Sequence, residues 1–372
     1  MPIKGRDRRY DEEYEHVAYV PDILPDKVDL APETWTALMR AQAAIGRLDG
    51  AVSELPDPLL LVRPLVRSEA VSTSALEGTH TGFGDLLGAE EQAAPTNSQV
   101  MEVLNYVHAA EEGIAALADL PVCMRLINAA HGTLLRGVRG DGYAVGRIRK
   151  TQNWIGPTDC RVYDAALVPP PHHLLPELLS HWEEWVHRAD LPLLVRVALG
   201  HYQFETLHPY VDGNGRLGRL VVILQLIEEN LVHHHVMTIS GFFERDKANY
   251  IGQLQLVRET GEFDPWVRYF SDGLHRSAEQ SLALIRTAQR TVRELVTDLR
   301  DTGARGLAIQ IAEDLIGFPV VTARAVESRY DVSYNTANAA IRRLETAGML
   351  IQVSAGNYNR TFAAPRVLAI FG

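Results

Sequence analysis

The twelve residues His208-Pro209-Tyr210-Val211-Asp212-Gly213-Asn214-Gly215-Arg216-Leu217-Gly218-Arg219 bring together side chains suited to chemistry on a phosphate chain. They lead into an apolar run whose helical spacing turns Leu220, Ile223, Leu224 and Ile227 inward. Gly213 and Gly215 let successive backbone N–H groups converge at the start of that helix, where the helix dipole adds positive potential, so the loop reads as an anion cradle. Arg216 and Arg219, three residues apart, fall on one face of the first turn and would meet a phosphate chain with two guanidinium groups. Asp212 offers a hard oxygen for Mg²⁺ (or Mn²⁺) beside the phosphates. His208 is the nearby group whose ordinary pKa suits proton removal near neutral pH. Taken singly, each has a plainer reading: Gly-Asn-Gly as a turn, the arginine pair as a solvated face, the histidine as a structural one. Their order within twelve residues favours a base, a metal ligand and a phosphate clamp.

Helices must position this loop. Periodicity predicts one over residues 33–48, with Leu38, Ala41, Ile45 and Leu48 on a single stripe and a stop at Asp49-Gly50, and a second over 64–76, where Gly78 suits a left-handed C-terminal cap. Residues 88–99 read as an exposed connector. Further helices are expected over 100–119, 121–135, 173–188, 192–207, 215–229, 244–260 and 264–299. Residues 137–156 have a different texture, rich in Gly and Arg with the β-formers Val145, Ile148, Thr151, Trp154 and Ile155, and read as a short hairpin or flap. From Ala304 onward, helix, turn, helix and a closing hairpin describe a winged helix-turn-helix.

The bulk properties set bounds. A chain of 372 residues implies two or three domains, and 46% hydrophobic with 22% charged residues is ordinary for a globular protein. A net charge of −11 argues against a surface that is one continuous nucleic-acid clamp. Two cysteines, Cys123 and Cys160, are too few for a disulfide framework and fit a reducing compartment. The charged first sixteen residues lack the apolar core of a secretory leader, and the longest apolar runs fall short of a membrane span. A cytoplasmic protein without membrane contact is the expectation. No GxxxxGK[ST] segment occurs, so a P-loop reading has no support.

The segment 208–219 resembles the signature of the Fic family, H-P-[FY]-x-[DE]-G-N-G-R-x-x-R, with Tyr210 in place of the commoner Phe. The preceding YQFETLHPY and the later FFERDKANYIGQLQLVRETGEFDPWVRYF are also similar to family members, and the likeness extends over roughly residues 20–275. The resemblance implies transfer of AMP from ATP to a protein hydroxyl. His208 would deprotonate the hydroxyl, Asp212 would bind Mg²⁺ bridging the α- and β-phosphates, and Gly213, Asn214 and Gly215 would hold phosphate oxygens. Arg216 and Arg219 would take the β- and γ-phosphates. Tyr250 would lie along the adenine, or else belong to the core. The resemblance also makes residues 146–156 a β-hairpin, including Ile148, Thr151, Gln152, Asn153 and Trp154, that receives the target as an added strand. The alternative there is a structural hairpin anchored by Trp154.

Thr73-Ser74-Ala75-Leu76-Glu77-Gly78 resembles the family's inhibitory motif, [ST]-x-x-x-E-[GN]. Glu77, at a helix end, would pair with Arg219 in the place meant for the γ-phosphate. In some relatives the equivalent glutamate also serves removal of AMP. The expected organisation is therefore an N-terminal helical region carrying the inhibitory helix (1–99), an all-α Fic core with a small β-hairpin flap (100–300) and a winged helix-turn-helix domain (301–372). Residues 304–364 hold six arginines and five acidic residues, compatible with DNA binding. Tyr334, Asn335, Asn338, Arg342, Arg343, Asn357 and Arg360 are the groove or phosphate contacts to consider, with packing or homodimerisation as the alternative. His233-His234-His235 point in different directions on a helix end and read as solvated. Two further function classes stand beside the AMP transferase, whose targets would include itself: a nucleotide-sensing DNA-binding regulator, and a transferase using another nucleotide or phosphodiester donor.

Overall fold

A computed structural model describes residues 1–7, 10, 12–90, 97–138, 142, 144–157, 159–354, 356 and 360–371. Two strands open the chain, β1 (Pro2–Asp7) and β2 (Glu12–Val17). Helices follow: α1 (Pro32–Ser53), α2 (Leu59–Leu76), α3 (Phe83–Glu90), α4 (Ser98–Ala116), α5 (Met124–Leu134), α6 (Leu175–Val186), α7 (Leu193–Leu207), α8 (Asn214–Glu228), α9 (Ile239–Arg245), α10 (Lys247–Thr260), α11 (Asp264–Asp301) and α12 (Leu307–Asp314). The chain then forms β3 (Val320–Thr322), α13 (Ala323–Tyr330), α14 (Tyr334–Thr346), β4 (Ile351–Gln352), β5 (Thr361–Ala363) and α15 (Pro365–Phe371). No helix among the described residues is long and apolar enough to cross a membrane.

Several boundaries differ from expectation for identifiable reasons. Helix α1 runs through Asp49-Gly50 to Ser53 because fully burying Val52 outweighs the ~1 kcal/mol cost of an interior glycine. Residues 88–90 close α3 instead of opening a connector, and residues 91–96 of that expected connector lie outside the described residues. The expected helix over 244–260 is two, α9 and α10. Contacts gather the chain into two compact units that interleave in sequence. One holds residues 1–43, 108–231 and 245–275; the other holds 44–107, 232–244 and 276–372.

In the first unit α8 is the central helix, buried from Asn214 to Leu226. Beside it, α7 is buried from Leu194 to Leu207. His201 of α7 links the two: its Nδ1–H donates to Gly218 O at 3.3 Å, and its Nε2 accepts from the Tyr250 hydroxyl at 2.9 Å. Trp266 stacks on His201 and donates its indole N–H to Ala198 O at 2.8 Å. The antiparallel β1–β2 hairpin buries Ile3 and Tyr14 against Val162 and Val168. This hairpin was not anticipated, because only these two large apolar side chains turn inward from an otherwise charged segment.

The expected hairpin over 146–156 is absent. Its described residues form turns with a single antiparallel bridge, Ile155 to Leu167. Side chains take the acceptors a ladder would need: Arg149 donates to Thr151 O at 3.1 Å, and Gln152 donates to Asn153 O at 3.1 Å and Pro169 O at 2.8 Å. Residues 139–141 and 143 lie outside the described residues.

In the second unit, Pro64 sits inside α2 and has no N–H to give Leu60 O. Gly317 packs at that carbonyl; a Cβ on Gly317 would lie 2.9 Å from Leu60 O and 3.1 Å from Leu60 Cα. The next residue, Phe318, is flanked by Arg63 at 4.6 Å and Arg329 at 3.3 Å from its ring centre. Phe371 of α15 stacks on Phe83 of α3 at 5.8 Å. Strands β3, β5 and β4 form an antiparallel sheet in that order, accompanying α12, α13 and α14. The buried Glu69 carboxylate accepts from the Ser240 amide at 3.0 Å and from its hydroxyl, at the start of α9. The histidine run is only partly solvated: His233 is exposed and bonded to Asp49 at 2.8 Å, whereas His235 is 1% exposed.

Two outcomes are expected. Gly317→Ala should cost about 1–3 kcal/mol in a urea titration, because the methyl group meets α2 backbone that has no side chain to swing aside; an unchanged midpoint would contradict this packing. Burial, with the Arg219 charge second, lowers His201 to about 3, and burial lowers His235 to about 4, both from 6.5. Well above pH 6.5 both states are neutral and neither ring adds a protonation penalty. As pH falls below 6.5 the unfolded chain binds protons that the folded one refuses, so each removes about 1.4 kcal/mol of stability per pH unit. Thermal melts from pH 7 to pH 5 should show a falling Tm; a flat Tm would refute the neutral assignment.

Candidate active site

The chain leaves α7 at His208, which adopts a left-handed backbone (φ 48°, ψ 61°), costly for a residue with a Cβ and typical of functional turns. His208 is half-buried, and its Nδ1 lies 3.3 Å from Glu205 O. A carbonyl only accepts, so the proton resides on Nδ1 and the Nε2 lone pair is the basic one. The loop closes at once: Asn214 Oδ1 accepts from the Tyr210 amide at 2.8 Å, and Asn214 Nδ2 donates to Tyr210 O at 2.9 Å. The Asn214 side chain thus staples the loop to itself. Its backbone amide and that of Gly215 stand in the first turn of α8, where no intrahelical acceptor exists.

Gly213 has φ +81°, a backbone conformation that favours glycine, and a Cβ there would press to 3.2 Å on the Leu134 side chain. Asp212 Oδ1 accepts from the Gly213 amide at 2.7 Å and lies 3.7 Å from an Arg216 nitrogen, while one third of the Asp212 side chain remains exposed. Arg216 and Arg219 are 1% and 2% exposed, which rules out a solvated arginine face. Among the described residues no three His, Cys, Asp or Glu side chains converge as a metal site. The partly exposed Asp212 carboxylate is the hard oxygen donor of the loop that could hold a cation such as Mg²⁺.

Three supporting residues carried no signal in the sequence, because their partners are far away along the chain. His131 stacks on Tyr210 at 3.9 Å, accepts from the Gly146 amide at Nδ1 (2.8 Å) and donates from Nε2 to Asp212 O (3.1 Å). Burial lowers its pKa to about 4, against the opposing bond to Asp212. Asn128 Oδ1 accepts from the buried Tyr210 hydroxyl at 2.7 Å. Arg149 donates to His208 O at 2.9 Å.

The residues expected to dock a target are placed differently from an open flap. Asn153 donates to Tyr210 O at 2.9 Å and so belongs to the loop's own scaffold. Trp154 donates to Cys160 O at 3.0 Å and meets Tyr14 edge-on at 5.7 Å, the anchoring role considered as the alternative. Thr151 is exposed, and Ile148 and Gln152 are half-buried. Tyr250 is 5% exposed, with its hydroxyl on His201, the placement of a core residue.

Thr73, Glu77 and Gly78 stand together at the end of α2, in the second unit. The Gly78 amide donates to Ala75 O at 3.0 Å and the Thr79 amide to Ser74 O at 2.9 Å, with Gly78 at φ +83°. This is the left-handed glycine cap expected of the sequence. Thr73 is fully buried, and the capping bonds leave the Glu77 side chain exposed.

The family model described as Fic/DOC family N-terminal matches residues 35–115, and that described as Fic/DOC family matches residues 121–226. A probable protein adenylyltransferase of Aquifex aeolicus is 30% identical over 103 residues, 27% of this chain and 30% of the relative. The protein adenylyltransferase Fic of Drosophila virilis is 31% identical over 115 residues, 30% of this chain and 22% of the relative. The matched stretch thus spans less than a third of these relatives. A Fic family protein from Desulfovibrio desulfuricans shares the fold at a TM-score of 0.57 and 18% identity, over 90% of this chain and 97% of that one. A Fic domain containing signaling protein from Bacteroides thetaiotaomicron aligns at 0.51 and 18% identity, over 67% of this chain and 95% of its own. With the two family models together matching half of its length, the chain belongs to the Fic/DOC family.

Proposed function

We propose that this chain transfers AMP from ATP to a hydroxyl of a target protein, itself included, and that Glu77 restrains it. The observation that carries the reading is the loop from His208 to Arg219: a basic Nε2 at one end, a partly exposed carboxylate in the middle, and two buried guanidinium groups on the first turns of α8. Family membership and the printed names of the relatives support the same reaction class.

In this reading the first-turn amides of α8 and the guanidinium groups of Arg216 and Arg219 hold the phosphate chain. Asp212 would hold Mg²⁺, which would supply neutralisation of charge on the phosphate chain. His208 Nε2 takes the proton of the target hydroxyl as its oxygen attacks the α-phosphorus; the bond to the bridging oxygen breaks and pyrophosphate leaves. Glu77 would pair with Arg219 and hold the γ-phosphate away from its productive place. The same carboxylate would orient water if the protein also removes AMP.

Incubation with labelled ATP, Mg²⁺ and cell lysate tests this. Glu77→Gly should raise labelling several-fold, and His208→Ala in that background should lower it about 100-fold or more. Equal labelling by wild type and Glu77→Gly would remove the restraint from the reading; undiminished labelling after His208→Ala would remove the mechanism.

A second reading concerns the C-terminal elements, which we take as a winged helix-turn-helix that binds DNA. Helix α14 is capped by Ser333, whose hydroxyl accepts from the Thr336 amide at 3.3 Å, and it exposes Tyr334, Asn335, Arg342 and Arg343. Asn338 is bonded to Arg360 at 2.8 Å, which ties those two contacts to each other; Asn357 lies outside the described residues. A gel shift should weaken at least tenfold between 50 and 200 mM salt if phosphates are contacted. No shift at low salt would leave these elements a packing module.

A further inference from the structure

Arg149 is 1% exposed, yet among the described residues it meets no carboxylate. Among those residues its hydrogen-bond acceptors are all carbonyls. Its Nε donates to His208 O at 2.9 Å, one Nη2–H to Pro170 O at 2.6 Å and the other toward Leu207 O at 3.5 Å, and Nη1 to Thr151 O at 3.1 Å. Its backbone amide donates to Pro209 O at 2.9 Å. One residue therefore takes three consecutive carbonyls, those of Leu207, His208 and Pro209, and so fixes the peptide planes on both sides of the left-handed His208. Burial lowers the guanidinium only to about 10, so it is charged at neutral pH and lies at the negative end of the α7 dipole. A helix C-terminus is ordinarily closed by glycine or water; here the turn carries a histidine, and the planar fork of arginine spans acceptors that an ammonium cannot.

We infer that Arg149 is the positioning residue of His208: by holding the carbonyls of residues 207–209 it keeps the imidazole against Glu205 O, with its proton on Nδ1 and Nε2 presented to the substrate hydroxyl. The kinetic part of this rests on the proposed AMP transfer; the tautomer part does not.

The test uses the full chain with ¹⁵N-labelled histidine. In the wild type, His208 gives ring nitrogen shifts of one neutral tautomer, protonated at Nδ1. In Arg149→Lys the ring shows a mixture of tautomers, and in the Glu77→Gly background kcat falls at least tenfold while the KM for ATP stays within about twofold. Arg149→Gln, neutral and planar with fewer donors, is measured in parallel in case the lysine variant does not fold. An unchanged His208 tautomer in a folded variant overturns the positioning role, as does loss of cooperative unfolding in both variants, which would make Arg149 a folding residue only. If Glu77→Gly itself transfers nothing, the proposed function falls, and the tautomer shift alone decides for or against Arg149.

Discussion

The two hydrogen bonds between the Asn214 side chain and the Tyr210 backbone close the turn between α7 and α8 from within. A loop stapled by its own first helical residue needs no ligand to hold its shape. The first-turn amides of α8 have no acceptor within the helix. Preorganisation of this kind is what lets backbone dipoles stabilise charge without reorganising when charge develops. The supporting shell follows from the same need: Tyr210 is stacked by His131 and hydrogen-bonded by Asn128, and its carbonyl also accepts from Asn153.

Charge is distributed with the same economy. Two arginines are buried on α8, and two imidazoles that feel their charge are kept neutral. Burial is the main cause for both, and the neighbouring guanidinium groups, Arg216 for His131 and Arg219 for His201, push in the same direction. A neutral imidazole supplies one donor and one acceptor without adding a cation. His131 spends these on Asp212 O and the Gly146 amide, His201 on Gly218 O and the Tyr250 hydroxyl.

Long helices and the chemistry-bearing loop were legible in the sequence because their signals are local. The inward stripe of α1 and the glycine cap after α2 could be read residue by residue. The β1–β2 hairpin was not, since a charged strand pair that buries only Ile3 and Tyr14 shows no clear alternation of apolar residues. The segment 146–156 departs from its expected hairpin for a related reason. Its β-forming residues suit a strand, but Arg149 and Gln152 spend donors on the carbonyls of Thr151 and Asn153, and Asn153 donates to Tyr210 O. Placing His131 or Arg149 at the site required tertiary contacts, as Asp212 and His208 lie tens of residues from them.

Helix α2 joins two features that the sequence keeps apart. Its 18 residues make a rod about 27 Å long at ~1.5 Å per residue, with Leu60 and Arg63 near one end and Glu77 capping the other. Gly317 and Phe318 occupy the first end, at the carbonyl that Pro64 leaves without a donor. A cut after α11 would therefore do more than remove an appendage. It would uncover a backbone carbonyl, a guanidinium and the ring of Phe83 on the helices that present Glu77, so any shortened version made for biochemistry would differ from the whole protein at the very element that carries this glutamate.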